Sequence, residues 1–183
     1  GQAHYLLHVM RAGAGDRVRL FNGRDGEWLA QIEVQGKRGV MFRCLEQTLP
    51  QTDGTDIWLV FAPVKKTPSD YLTQKATELG VSKLQPVFTR RTIVARLNQE
   101  RLRANAVEAA EQSGRMTVPE IGAAMSLDKL LSTWPRERAI FFCDEGGDVV
   151  PLADAVCKAD KGPAAILTGP EGGFDPAERE SLR

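Results

Sequence analysis

The stretch Ile166–Glu178, "ILTGPEGGFDPAE", sets three glycines, two prolines and two glutamates directly after a short apolar run. "AAILT" (Ala164–Thr168) reads as a strand, Gly169–Gly173 as a tight turn, and "DPAERE" as the opening of a helix. Asp175 stands at its N-cap, Pro176 at the first helical position and Glu178 at the third. A turn of this kind after a strand usually holds a ligand by its backbone, and phosphate is the first candidate. The P-loop pattern is absent, because no Gly-Lys-Ser/Thr follows, and so is the Gly-x-Gly-x-x-Gly of dinucleotide folds. Glu171 inside the turn repels a pyrophosphate. A ligand that tolerates it is neutral or cationic at that end: adenine, a sulfonium or an ammonium, all of which S-adenosylmethionine carries. A plain strand-to-helix turn is the alternative.

Upstream, the same alternation repeats. "DIWLVFA" is a continuous apolar run, as in a strand buried on both faces. "TPSDYLTQKATELG" follows as a helix, with Ser69 or Asp70 able to cap it, Gly80 as its stop, and Leu72, Ala76 and Leu79 on one face. "VSKLQPVFT" is a strand. "NQERLRANAVEAAEQSGR" is a helix with an apolar stripe of Leu102, Ala106, Ala109 and Ser113. "RAIFFCDE" is a strand and "VPLADAVCK" a short helix. Strands alternating with helices predict a parallel sheet covered on both sides.

The first part of the chain has a different period. "DRVRLFNGRDGEWLAQIEV" alternates apolar and polar residues across Asn22-Gly23 and Asp25-Gly26, both turn signals. Val18, Leu20, Trp28, Ala30, Ile32 and Val34 form one buried face, "GVMFRCLEQ" adds a third strand, and a small barrel is the natural closure. Thr48–Thr55, with Pro50 and Gly54, reads as a linker. Two domains are expected, residues 1–48 and 55–183.

A chain of 183 residues with 42% hydrophobic and 26% charged residues has the make-up of a soluble globular protein. No apolar run approaches the roughly 20 residues that span a bilayer, and no signal peptide opens the chain. Cys44, Cys143 and Cys157 are odd in number and lack a C-x-x-C pair, which argues against a disulfide framework or zinc site and for the reducing cytoplasm. His4 and His8 have no third ligand nearby, so no metal site is expected. The formal charge is zero, but its distribution is uneven. Basic residues dominate from Lys75 to Arg103, and acidic ones from Asp144 onward. That polarity suits a local basic groove for phosphates, although solvated helix faces give the same pattern.

Four segments in order carry a resemblance. "LTGPEGGFDPAE" resembles the cofactor loop of the SPOUT methyltransferases, specifically of the RsmE family of ribosomal RNA uridine-N3 methyltransferases. "HYLLHVMRAGAGDRVRLFNG" is similar to that family's PUA-like, RNA-binding barrel. "KKTPSDYLTQKATELGVSKLQPVFTRRTI" resembles its Lys-x-x-Glu-Leu-Gly-Val segment, and "RANAVEAAEQSGRMTVPEI" its Glu-Gln-Ser motif. The resemblance implies an α/β fold: a SPOUT-type trefoil-knot methyltransferase domain after a small PUA-like β-barrel, incomplete at both ends. It implies a homodimer formed through the knot domain, S-adenosyl-L-methionine as cofactor, and 16S ribosomal RNA or the assembled small subunit as substrate. Of the family's three cofactor loops, two are placed here: Cys143, Asp144 and Glu145, and then Leu167, Thr168, Gly169, Pro170, Glu171, Gly172 and Gly173. The third lies beyond Arg183.

Methyl transfer from a sulfonium to nitrogen relies on positioning and electrostatics. The imide proton of uridine must leave, and the anion spreads onto O2 and O4. Arg115 is the candidate cation for that charge, with a helix-end ion pair as its alternative role. An arginine beyond the chain's end fits the role equally. Glu171 either accepts the proton or braces the loop, the second being preferred. Arg11, Lys65, Lys66, Lys75, Arg90, Arg91 and Arg115 are the residues set against RNA. Other readings are a knotted methyltransferase acting on transfer-RNA ribose, and a non-catalytic RNA-binding module.

Overall fold

The computed structural model describes residues 5–34, 39–146 and 149–183, so His4 lies outside it. The chain divides into two compact units, Gly1–Asp53 and Gly54–Arg183.

In the first unit a π-helical turn, Tyr5–Val9, precedes a three-stranded antiparallel meander: β1 (Arg17–Phe21), β2 (Glu27–Val34) and β3 (Val40–Leu49). The Asn22 side chain shapes the first connection by accepting the backbone N–H groups of Arg24 and Asp25 at 2.9 and 2.8 Å. Alternation then places Ala30 and Ile32 in the interior, with Val18, Leu20 and Trp28 half-buried. β3 runs through Leu49, and the Thr48 hydroxyl donates to Oε1 of the buried Glu27 at 2.8 Å.

In the second unit the elements follow as β4 (Ile57–Phe61), α1 (Lys66–Leu79), β5 (Lys83–Phe88), α2 (Gln99–Ser113), β6 (Glu120–Ile121) and β7 (Met125–Ser126). Then come α3 (Leu127–Ser132), β8 (Ala139–Cys143), α4 (Leu152–Lys158), β9 (Ala164–Thr168) and α5 (Pro176–Leu182). Every pairing is parallel, in the order β6-β5-β4-β9-β8, with β7 against the far end of β5. The chain moves outward from β4 through β5 to β6, then restarts at the opposite edge with β8 and returns through β9. Direction therefore reverses between β4 and β9, and the carboxyl edge near such a reversal is where open α/β sheets take ligands. The core lies on both sides of the sheet. One cluster joins Val60, Val87, Ala165, Leu167, Leu127, Leu130 and Phe174, and the other joins Phe61, Ala76, Leu84 and Leu102.

Three helical details differ from expectation. α1 starts at Lys66 without a side-chain cap, so Ser69 and Asp70 lie inside it. The Ser69 hydroxyl donates to the Val64 carbonyl, and Asp70 holds Arg101 and Asn105 of α2. Leu79 is 84% exposed; the buried face is instead Ser69, Thr73, Ala76 and Thr77. The Thr73 and Thr77 hydroxyls donate back to carbonyls four residues earlier, which satisfies them without a partner helix. Small side chains then let α1 pack on α2, where Ala110 rather than the exposed Ser113 completes the stripe with Leu102, Ala106 and Ala109. β6, β7 and α3 were not expected, being too short to show a period. Among the described residues no helix is long and apolar enough to cross a membrane, and no cluster of three or more His, Cys, Asp or Glu is arranged to hold a metal.

Candidate functional site

The last register pair of β8 and β9 is Cys143 with Thr168. Past it, the two connections wall a 250 Å³ cavity lined by Cys143, Asp144, Glu145, Thr168, Gly169, Pro170, Gly173 and Phe174. That volume is just under the roughly 300–1,000 Å³ of small-molecule sites, room for part of a nucleoside-sized ligand. The turn closes when the Gly173 N–H donates to the Pro170 carbonyl at 2.9 Å, with Gly173 at φ 66°, a left-handed geometry that glycine adopts without strain. The turn then folds back over Phe174, which is 3% exposed and meets Phe142 edge-on at 4.8 Å between centroids. A Cβ on Gly169 would stand 2.6 Å from the Phe174 ring.

The opposite wall is electrostatic. The Asp144 side chain is only 3% exposed; its Oδ1 accepts the Glu145 N–H at 2.9 Å and pairs with Arg179 Nη2 at 3.1 Å. Its Oδ2 is buried and, among the described residues, accepts no hydrogen bond, with Arg183 Nη2 standing 3.7 Å away. Arg179 fits against the first connection because Gly146 lacks a side chain, a Cβ there lying 2.9 Å from its Nη1. Cys143 keeps an exposed edge, yet partial burial pushes its thiol pKa up from the ordinary value.

A third element reaches the turn from β5. Glu178, 6% exposed, accepts the Arg90 backbone N–H on Oε1 at 2.8 Å and the Asp175 N–H on Oε2 at 3.0 Å. The second contact is the capping box read from sequence; the first spans 88 residues and has no sequence signature. Arg90 Nη1 also meets the Asp175 carboxylate at 2.9 Å, and Arg91 Nη1 donates to the Gly172 carbonyl at 2.9 Å.

Of the residues set against a cofactor, Cys143, Asp144, Glu145, Thr168, Gly169, Pro170 and Gly173 come together around the cavity. Leu167 is buried beneath it in the core, while Glu171 and Gly172 lie on the exposed crest of the turn. The carboxylate that braces the turn is Glu178, not Glu171. Lys65 and Lys66 follow β4 and are exposed at the same carboxyl edge as the cavity. Arg90 and Arg91 share that edge but are engaged by the turn. Lys75 is paired with Glu78 at 2.7 Å, which holds its pKa above the ordinary lysine value. Arg115 lies at the other edge of the sheet, packed across Gly80 just before β5 and donating to Thr117 Oγ1 at 3.2 Å. One copy of the chain does not bring it to the cavity. Arg11 belongs to the first unit, exposed and at φ 55°. Phe174, Arg179 and Gly146 were missed: each acts through a contact that only the fold creates.

Comparison with known proteins gives a consistent set of relatives. Residues 51–183 match the family described as RNA methyltransferase domain, and residues 1–42 the RNA methyltransferase PUA domain. The chain is 33% identical to the ribosomal RNA small subunit methyltransferase E of Rickettsia conorii over 98% of its own length and 73% of that protein. A probable rRNA-methyltransferase from Porphyromonas gingivalis superposes with a TM-score of 0.83 at 27% identity, covering 99% of this chain and 77% of that one. The ribosomal RNA small subunit methyltransferase E of Neisseria gonorrhoeae, solved bound to S-adenosyl methionine, gives 0.81 at 26% identity, covering 97% and 75%.

Proposed function

Because the chain belongs to the ribosomal RNA small subunit methyltransferase E family, a SPOUT-type α/β enzyme behind a PUA-like domain, we propose that it methylates N3 of a uridine in 16S ribosomal RNA with S-adenosyl-L-methionine. The observation that carries this reading is the cavity's lining, which among the described residues holds Asp144 and Glu145 but no lysine or arginine. Arg179 balances the buried Asp144, so Glu145 is the charge this lining offers a ligand, and it disfavours polyphosphate while favouring a sulfonium or ammonium.

The residues fit that donor on two further counts. Gly146 and Gly169 let Arg179 and Phe174 press against the backbone where a Cβ would stand, which draws the walls together. The buried Oδ2 of Asp144 retains capacity to accept a hydrogen bond. Cys143, Asp144 and Glu145 would hold the donor from one side, and Thr168, Gly169, Pro170 and Gly173 from the other. When bound, the donor supplies an electrophilic methyl group on sulfur.

The chain's own residues do the rest. Glu178 takes the bracing role, so Glu171, on the exposed crest, is left to accept the uridine N3 proton at its carboxylate. Arg115 serves the charge on O2 and O4 only from a second copy of the chain, which agrees with a homodimer. Lys65 and Lys66 at the cavity's edge, and Arg11 in the first unit, contact RNA phosphates. The setting is cytoplasmic.

The test gives the purified full-length protein methyl-labelled S-adenosylmethionine together with small subunits, naked 16S ribosomal RNA or transfer RNA. We expect label on one uridine base of 16S ribosomal RNA, assigned by mass spectrometry, and Glu171→Gln should lower kcat with unchanged donor affinity. The donor should also slow alkylation of Cys143 near pH ~9 while leaving Cys44 and Cys157 reactive. Label on a transfer-RNA ribose, or none, overturns the proposal.

A further inference from the structure

We propose that Arg91 is a positioning residue for the methyl donor: it locks the Gly172–Gly173 peptide, one wall of the cavity, in a single orientation. The inference rests on the donor-binding reading above.

Gly172 and Gly173 are joined by a planar peptide unit, so the Gly172 carbonyl and the Gly173 N–H turn together. Between two glycines such a unit flips with little steric resistance. In this turn its N–H donates to the Pro170 carbonyl at 2.9 Å, and its carbonyl accepts Arg91 Nη1 at 2.9 Å from the opposite side. Both ends of one peptide are thus held, one by the turn itself and one by another strand's connection. The aliphatic stem of Arg91 also lies along Gly172, with its Cβ and Cδ 3.7 and 3.8 Å from where a Gly172 Cβ would stand.

Arg91 is itself held in place by the connection that carries it. The Thr89 N–H donates to Thr92 Oγ1 at 2.9 Å, the two hydroxyls share a hydrogen bond of 2.9 Å, and the Thr92 N–H returns to the Thr89 carbonyl at 3.1 Å. The Arg90 N–H, clamped on buried Glu178, fixes this connection to the start of α5. The arginine is therefore delivered to Gly172 from a rigid base. A surface cation meant only for phosphates needs none of this. Releasing Arg91 leaves the Gly172–Gly173 peptide free to rotate, and Gly173, which lines the cavity, moves with it.

The experiment uses the full-length protein and S-adenosylmethionine as the probe, with calorimetry for donor affinity and initial rates on the RNA substrate. Arg91→Ala should raise the donor Kd and KM about three- to fivefold, less than a buried charged hydrogen bond because this one is solvent-exposed, with kcat at saturating donor within about twofold. Arg91→Lys keeps a donor on a flexible stem and should recover most of the affinity. Arg90→Ala removes only the exposed pairing with Asp175, keeps the backbone bond to Glu178, and should leave donor affinity within about twofold. Faster hydrogen exchange at the Gly173 amide of Arg91→Ala gives a readout independent of activity. If Arg91→Ala binds the donor like the parent while its RNA affinity falls, Arg91 is a phosphate contact and the inference is wrong. If the parent itself binds no donor, the functional proposal fails first.

Discussion

Gly169 is where the glycine turn folds back on its own helix. The ring that a Cβ would strike belongs to Phe174, which is buried and pinned by Phe142, so it has no free direction in which to swing. We expect Gly169→Ala to destabilise the protein by roughly 1–3 kcal/mol, the range of overpacking in a filled core, and to weaken donor binding as Thr168 and Pro170 shift. Urea unfolding and calorimetry measure the two effects; a variant matching the parent in both shows that Phe174 relaxes freely. The need for glycine was legible in "GPEGG", since Gly173 closes the turn at φ 66°. The reason at Gly169 was not, because it lies in a ring packing that no local pattern records. Arg91 is a sharper case. As a basic residue past a strand end it read as a phosphate contact, and its partner carbonyl stands 81 residues away.

Elements were legible in proportion to their length and patterning. The buried run of β4, the alternation of β1 and β2, and the capping box of α5 are local signals that survive into the fold. α1 misled at Leu79 because, beside Ala76, its buried face holds Thr73 and Thr77, whose hydroxyls bond their own helix and which hydrophobic periodicity does not count. What ties the strands together at their amino edge left no sequence trace either. Arg138, just before β8 and 8% exposed at its side chain, donates to the carbonyls of Asp56 and Ala164 at 3.0 and 3.1 Å, which precede β4 and begin β9. It also holds the Asp56 carboxylate at 2.8 Å and lies 3.9 Å over the Trp58 ring. We expect Arg138→Ala to lower stability by about 2–3 kcal/mol, mostly through the lost charged hydrogen bonds to the two carbonyls, although the Asp56 carbonyl keeps the Ala164 N–H at 3.2 Å. Asp56 is 55% exposed, so solvent screens the ionic part. The Arg138 hydrogen bond, opposed by some desolvation, holds the Asp56 pKa below the ordinary carboxylate range. The stability it lends is therefore complete above about pH 4 and is lost as pH falls through the lowered folded value. Thermal melts at neutral and acid pH should show the gap between parent and variant narrowing in acid by the smaller Asp56 part alone; a constant gap would assign the whole effect to the carbonyls.

For the molecule as a whole, 24 basic residues against 24 acidic ones set no net field, so partners are chosen by local surfaces. The acid-lined cavity is one such surface. Another is apolar: α4 buries none of its residues, and Val149, Val150, Leu152 and Val156 are exposed along one short stretch beside the Glu145–Gly146 wall. Grouped apolar side chains of this kind mark an association surface, and the proposed homodimer supplies its cover. The same homodimer is what Arg115 requires, since within one chain the whole length of β5 separates it from the cavity edge. Leu152→Asp combined with Val156→Asp should therefore convert a dimer into a monomer in sedimentation at micromolar concentration. If Arg115 works across the interface, that monomer keeps measurable donor binding but loses kcat, and mixing it with an Arg115→Ala chain restores nothing. A parent that sediments as a monomer removes the dimer from the proposal. A monomeric variant with full kcat removes Arg115 from the reaction and leaves charge stabilisation to groups at the carboxyl edge itself.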